Sequence, residues 1–492
     1  MSDFEDDPLH NGGPPRNLRK IQHCAQKFWK ECLCKLSMVA ELSNIKNHGK
    51  SIKHKQIVTA GPIQRAKIKI VAFISEHNIA FLAADHLSGL LQECFPDLEI
   101  AKGISIKRTK TTAIIKNVIG SSAKEELFDS LKNSKFSVLT DESTNIGTVK
   151  TSCIVVRYFD KNIGKIVSKF WDLHPVFNSL NPCSATAEKL YNLLMESFST
   201  HNIPETNMIG FGSDGCNVMM GSVNSVASRL KNTFPGIFIL KYVCHSMNLC
   251  ASESCKQLPR NCKDFVRSIF SFLKSSSKRL AEFSQFQKFM EVELRRLLHP
   301  SQTWWLSLNM VGSRILEQWD ALKLYFTDTW INQRLLSTEE IFKSLNDPFI
   351  KLYFYFLDWI LPKFTRFNQY FQTERVVITD LHEMIISLFQ EIVLCFLKRE
   401  YVTKTKLSAI NPKIGQFQLI DRQLYLGAKV MSHIDEPNVI ANNICRKNFF
   451  ERCRLFLPEG FYPSVANDLS SFPLALASIE RNRSTNNKYG II

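Results

Sequence analysis

No uncharged apolar run among these 492 residues approaches the ~20 needed to cross a bilayer, so no membrane partner is expected. The opening stretch, Met1–Pro15, is acidic and polar and has no signal-peptide core. The 14 cysteines form no dense framework, and some sit in apolar segments, as Cys395 does in Ile392–Phe396. Reduced thiols are expected rather than bridges. No repeat of fixed period is found, which argues against a solenoid. Acids are scarce relative to bases, with 46 Asp+Glu against 62 Lys+Arg and a net charge of +16. Such a surface favours polyanions, nucleic acid first among them. No basic cluster is dense enough to read as a nuclear localisation signal. What is present is ordinary for a globular protein: 45% hydrophobic and 22% charged residues, over a length sufficient for two or three domains.

Residues 1–22 are rich in Pro, Gly and charge and read as a disordered tail. Residues 23–56 hold Trp29, Cys32, Cys34, His48 and His54. A Cys2His2 zinc site takes two thiolates from a turn and two imidazoles from a helix. The Cys34–His48–His54 spacing fits that scheme. The single residue between Cys32 and Cys34 is too short for the usual knuckle, and Lys35 stands where a second Cys is expected. A basic helix with incidental Cys and His is the other reading of this segment. Residues 57–135 read as a helical, basic region. Arg108 and Lys110 lie there in a short hydroxyl-rich stretch suited to DNA-backbone contacts, or to a solvated helix face.

At residue 136 the pattern changes. FSVLTDESTN (136–145) is a short apolar run closing on Asp141, and MIGFGSDGCN (208–217) is built the same way and closes on Asp214. Both runs are too short for helices and read as buried strands. Further strands are expected at Thr151–Phe159, Lys165–Leu173 and Ile237–Val243, with helices at Ala185–Phe198, Val218–Leu230 and from His245 through Cys255. Three meandering strands, helix, strand, helix, strand, helix is the ribonuclease-H-like order, a mixed sheet with helices on both faces. In it the first and fourth strands are neighbours. Asp141 and Asp214, 73 residues apart in the chain, would then meet at one end of the sheet. Two carboxylates so placed suit divalent-metal phosphoryl transfer. Residues 136–256 are assigned to this core. Residues 257–450 read as a large all-α insertion domain, with helices expected at Leu280–Leu298, Leu308–Phe326 and Phe349–Leu361, the last stopping at Pro362.

These residues resemble the hAT superfamily of DNA transposases, in its zinc-finger-associated, transposase-derived branch. TDESTN (140–145) looks like the first-aspartate motif and GSDGCNVM (212–219) like the second. CHSMNL (244–249) is similar to the Cys-His-x-x-Asn-Leu signature. TWWLSL (303–308) with ILEQWDALKLYF (315–326) resembles the Thr-Arg-Trp-Leu-Ser segment of the inserted helical domain, and ASIER (477–481) the start of the C-terminal dimerisation motif. The resemblance implies an α/β, ribonuclease-H-like fold and a nuclear location. It implies an Asp141–Asp214–Glu480 triad on Mg²⁺, supported by His245, and a Trp305 that stacks on a flipped base. It implies a BED-type zinc finger at Cys32, Cys34, His48 and His54, here degenerate. The implied chemistry is DNA cleavage and strand transfer.

The departures qualify that reading. Trp304 stands where the family has Arg, which removes a fixed cation. Arg483 replaces an expected Phe, and twelve residues follow Glu480. Residues 451–492 therefore read as a shortened dimerisation region, weakening a homo-oligomer. The expectation is a transposase-derived nuclear protein that binds nucleic acid with impaired catalysis. An active two-metal transposase and a protein-interaction scaffold without DNA binding are the alternatives.

Overall fold

The computed structural model describes residues 61–144, 150–176, 186–298, 305–373 and 375–462. They fall into two compact units that divide after Lys241.

The first unit opens with helices α1 (Pro62–Glu76), α2 (Ala84–Cys94), α3 (Glu99–Gly103), α4 (Arg108–Ile114) and α5 (Gly120–Lys132). A small core of Val71, Ile104 and Ile106 joins α1 to the segment after α3, with Leu87, Leu91 and Ile115 packed against it. A helical pattern is expected through Ile114–Leu131, weakened by Gly120. The chain is helical there, and a π-helical turn, Ile115–Ile119, joins α4 directly to α5, which begins at Gly120.

The sheet follows, with β1 (Phe136–Thr144), β2 (Lys150–Asp160) and β3 (Lys165–Pro175), then α6 (Ala187–Ser199), β4 (Met208–Ser213), α7 (Asn217–Met220), α8 (Val226–Thr233) and β5 (Phe238–Lys241). The strand order is β3-β2-β1-β4-β5. β1 pairs antiparallel with β2 and parallel with β4, so the sheet is mixed and β1 is central. The turn between β2 and β3 closes on Gly164, whose φ of +72° few side chains tolerate.

Strand periodicity explains the core. Phe136 and Val138 of β1, Ile154 and Val156 of β2, Trp171 of β3 and Phe211 of β4 share one apolar cluster. Leu127 and Leu131 of α5, Leu190, Leu194 and Phe198 of α6, and Leu230 of α8 join it. All three helices therefore pack on the same face of the sheet. Trp171 anchors the cluster: its ring stacks on Phe198 at 4.7 Å, and its Nε1–H donates to Ser197 Oγ at 3.0 Å.

The expected helix Val218–Leu230 is two pieces. Gly221 ends α7 so tightly that a Cβ there would lie 2.4 Å from Asn217 O. Ser225 then starts α8 with a capping box shared with Ser228.

The second unit is helical. It comprises α9 (Val243–Cys255), α10 (Arg260–Lys274), α11 (Ser277–Phe289), α12 (Trp305–Glu317), α13 (Trp319–Gln333), α14 (Leu336–Asn346), α15 (Pro348–Phe371), α16 (Leu381–Val393), α17 (Arg399–Lys404), α18 (Ala428–His433), α19 (Pro437–Ile440) and α20 (Asn443–Leu455). α9, assigned from sequence to the core domain ending at 256, groups with this unit. Its Cys250 Sγ–H donates to Phe461 O at 3.3 Å and Cys244 Sγ–H to Asn368 O at 3.7 Å.

Three helix ends differ from expectation. α11 stops at Phe289, because Glu291 takes a left-handed φ of 54°. The expected helix Leu308–Phe326 breaks at Gln318, whose buried amide accepts from Gln287 Nε2 at 2.7 Å and donates to Glu293 O at 3.1 Å. α15 runs straight through Pro362 for 24 residues. A proline inside a helix costs about 3 kcal/mol. α15 buries eleven apolar or aromatic side chains, each contributing about 1.5–3 kcal/mol, which outweighs that cost.

Candidate metal centre

The parallel pairing of β1 with β4 brings the two aspartates together. Its last paired positions are Leu139 and Gly212. Asp141 and Asp214 each lie two residues further on in the same direction. Neighbouring strands run about 4.8 Å apart, and equal offsets put both carboxylates on the same face of the sheet. This is the face opposite the apolar cluster. Asp214 follows the end of β4 directly, in a turn where its Oδ1 accepts from the Ser213 hydroxyl at 3.5 Å and the Cys216 N–H at 3.4 Å.

Both aspartates are half-buried. Asp141 is pushed up to about 7, first by burial, then by the negative charge of Asp214, with Glu142 adding to it and the Glu142 N–H bond opposing. A carboxylate held this far above its ordinary range is a strained donor that gains from any nearby positive charge.

Two cysteines flank the pair. Cys153 is directly opposite Asp141 on β2, and Cys216 is two residues past Asp214. Burial pushes the Cys153 thiol up to about 12, and the Asp141 charge adds to this. The Cys216 thiol is pushed up to about 11, by burial and then by its bond to Asp214. Both stay protonated at neutral pH, so the ligands on offer are carboxylate oxygens, the donor set of Mg²⁺ or Mn²⁺.

Glu142 is the residue that motif reading passed over. It points to the other face of β1, forms an ion pair with Lys150, and leaves its Oε1 buried without a hydrogen-bond partner. The signal was two consecutive acids at a strand end. Among the described residues no group of three or more His, Cys, Asp and Glu side chains is arranged to hold a metal ion. Glu480 lies outside the described residues, as do Cys32, Cys34, His48, His54 and the side chain of Trp305, whose backbone begins α12.

His245 is half-buried in the first turn of α9, in the second unit. The CHSMNL segment around it has a structural role. Cys244 Sγ–H donates to the Asn368 carbonyl, and Asn248 Oδ1 accepts from Asn368 Nδ2 at 3.1 Å, tying α9 to α15.

Arg108 opens α4. Its guanidinium pairs with Asp85 at 2.8 Å and its N–H donates to Asp85 Oδ1 at 2.8 Å, so it fastens α4 to α2. Those contacts, the backbone bond first, hold Asp85 below the usual carboxylate range. Lys110 is exposed, and its charge helps burial to lower Lys67.

Residues 99–225 match the DUF4371 family model, described as "ZMYM1/FAM200, RNase-like domain". That family is transposase-derived. The match runs from α3 to the cap of α8 and includes both Asp141 and Asp214. The segment that carries the acidic pair is thus similar to a transposase-derived RNase-like domain. No helix among the described residues is long and apolar enough to cross a membrane.

Proposed function

We propose that this chain is an hAT-type, transposase-derived nuclear protein that binds nucleic acid and holds a divalent cation on Asp141 and Asp214 of a ribonuclease-H-like sheet. The observation that carries the proposal is the equal offset of the two aspartates past the last β1–β4 pair, together with the raised Asp141 carboxyl. Two like charges on one sheet face suit a hard cation, and the protonated thiols beside them leave oxygen as the ligand. A bound divalent cation would supply charge stabilisation at a phosphodiester oxygen. The residues of the chain do the rest. Ser213 and the Cys216 N–H orient Asp214, and the Glu142 N–H orients Asp141.

On this reading Glu480 is the third acid, His245 a supporting residue, and zinc on Cys32, Cys34, His48 and His54 a separate structural site. Catalysis is impaired, because Trp304 replaces a fixed cation and Arg483 replaces an apolar residue of the motif around Glu480. A cleavage and strand-transfer assay on duplex DNA with Mg²⁺ or Mn²⁺ tests it. Salt-dependent DNA binding without turnover is expected. Turnover that vanishes in Asp141→Ala establishes instead the second reading, an active transposase, which the intact Asp141–Asp214 pair favours.

A further inference from the structure

The first unit concentrates acids at one end of its sheet, whereas the second unit carries a run of cations around α10. Residues 256–279 carry seven Lys and Arg against one Asp. α10 is amphipathic and turns Phe265, Val266, Ile269, Phe272 and Leu273 inward. On its other side Lys263, Arg267 and Lys274 fall at i, i+4 and i+11. At about 100° per residue they share a stripe roughly 40° wide and are spaced about 6 and 10 Å along the axis. At the start of this stripe is a cleft of about 380 Å³. Lys256, Lys263 and Arg267 line it, with Asp264 the opposing charge and Phe354 and Leu357 an apolar wall.

Three other cations of the run make contacts within the unit. Arg279 stacks over Phe272 at 3.9 Å and donates to Phe272 O at 3.2 Å. Lys278 pairs with Glu282, and Lys256 with Glu253. Arg267 makes no ion pair among the described residues, and Lys274 lies 5.3 Å from the Phe270 ring centroid.

We infer that the Lys263–Arg267–Lys274 face of α10, with the cleft at its start, is a docking surface for the phosphate backbone of nucleic acid. A straight row of cations matches a partner whose charge repeats along a line. The low-dielectric wall beside Arg267 strengthens its pairing with phosphate. Backbone contact of this kind is sequence-independent and steeply salt-dependent. The surface belongs to the second unit and does not rest on the carboxylate pair.

The test is fluorescence anisotropy of the full chain with a labelled 20-mer duplex, in EDTA, over a series of salt concentrations. EDTA and a parallel series in Asp141→Asn separate this surface from the metal centre. The Lys263→Gln, Arg267→Gln, Lys274→Gln triple variant is expected to bind on the order of tenfold more weakly, with the slope of log K against log salt shallower by about 0.9 for each phosphate no longer neutralised. Lys274→Gln alone changes an exposed position and is expected to lower the slope by about one, which keeps the test informative if the triple variant folds poorly. Replacing Lys398, Lys404 and Lys406 by Gln removes the same charge elsewhere in the unit and is expected to leave binding near wild type. Equal loss in that control overturns the proposal, as does an unchanged slope in Lys274→Gln. Displacement of the duplex by polyglutamate at equal charge overturns it in favour of an acidic protein partner.

Discussion

The two units are built on opposite electrostatic terms. In the first, a central strand carries Asp141 against Asp214 and beside Glu142, and the pairing of β1 with β4 keeps the like charges close. In the second, stability comes from aromatic packing. Phe354, Phe356, Phe364, Phe389, Phe449, Phe456 and Phe461 are all essentially inaccessible to solvent. Phe364 meets Phe456 and Phe461 edge-on, at 6.3 and 5.5 Å. The first unit gives up stability at its acidic end; the second accumulates it along α15. A site that works by holding charge is expected to be strained when empty, and a scaffold is not.

That contrast can be broken most forcefully at Phe364. Phe364→Ala is expected to cost about 3–5 kcal/mol. In calorimetry it should lower the unfolding transition of the helical unit while leaving Asp141-dependent behaviour in place. A loss below ~1 kcal/mol would remove the aromatic half of the comparison.

Asp141→Asn acts in the other direction. A carboxyl raised to about 7 in the fold favours the folded state most below the ordinary carboxylate range, and this contribution is lost as pH rises toward 7. At pH 7.5 without metal, Asp141→Asn is therefore expected to stabilise the protein by about 4 kcal/mol at most, a gain that disappears by about pH 4. Urea unfolding across that window measures it. A destabilised Asn variant at pH 7.5 would show that Asp141 is a structural acceptor rather than a strained ligand.

The smallest expected effect is at the turn that follows Asp214. Ser225 is fully buried, caps α8 through Ser228, and donates to Gly221 O at 2.6 Å. Ser225→Ala is expected to cost about 1–2 kcal/mol by thermal unfolding, without altering the pH profile set by Asp141.

The strand ends were legible. The apolar run before Asp141, its twin before Asp214, and the strand count between them were enough to anticipate a mixed sheet. The parallel β1–β4 register turned that expectation into a common face. The Cys153 thiol opposite Asp141 was not legible, because it is set by a cross-strand pairing that no local pattern encodes. The breaks at Gly221 and Gln318 were missed because helical periodicity continues across them, while one tight backbone contact and one buried amide network end the helices. The passage of α15 through Pro362 was missed for the opposite reason. Local breaker chemistry pointed to a stop, and burial along the whole helix overrode it.

The central claim is that Asp141 and Asp214 form a divalent-cation site. Isothermal titration of Mn²⁺ into the full chain, compared with Asp141→Asn and Asp214→Asn at pH 6 and pH 7.5, tests it most directly. The account predicts binding that is lost in both variants, weakens roughly tenfold per pH unit below about 7, and releases a proton as the Asp141 carboxyl ionises. Binding that is equally tight in the variants, or no binding to the wild-type chain at pH 7.5, would contradict it.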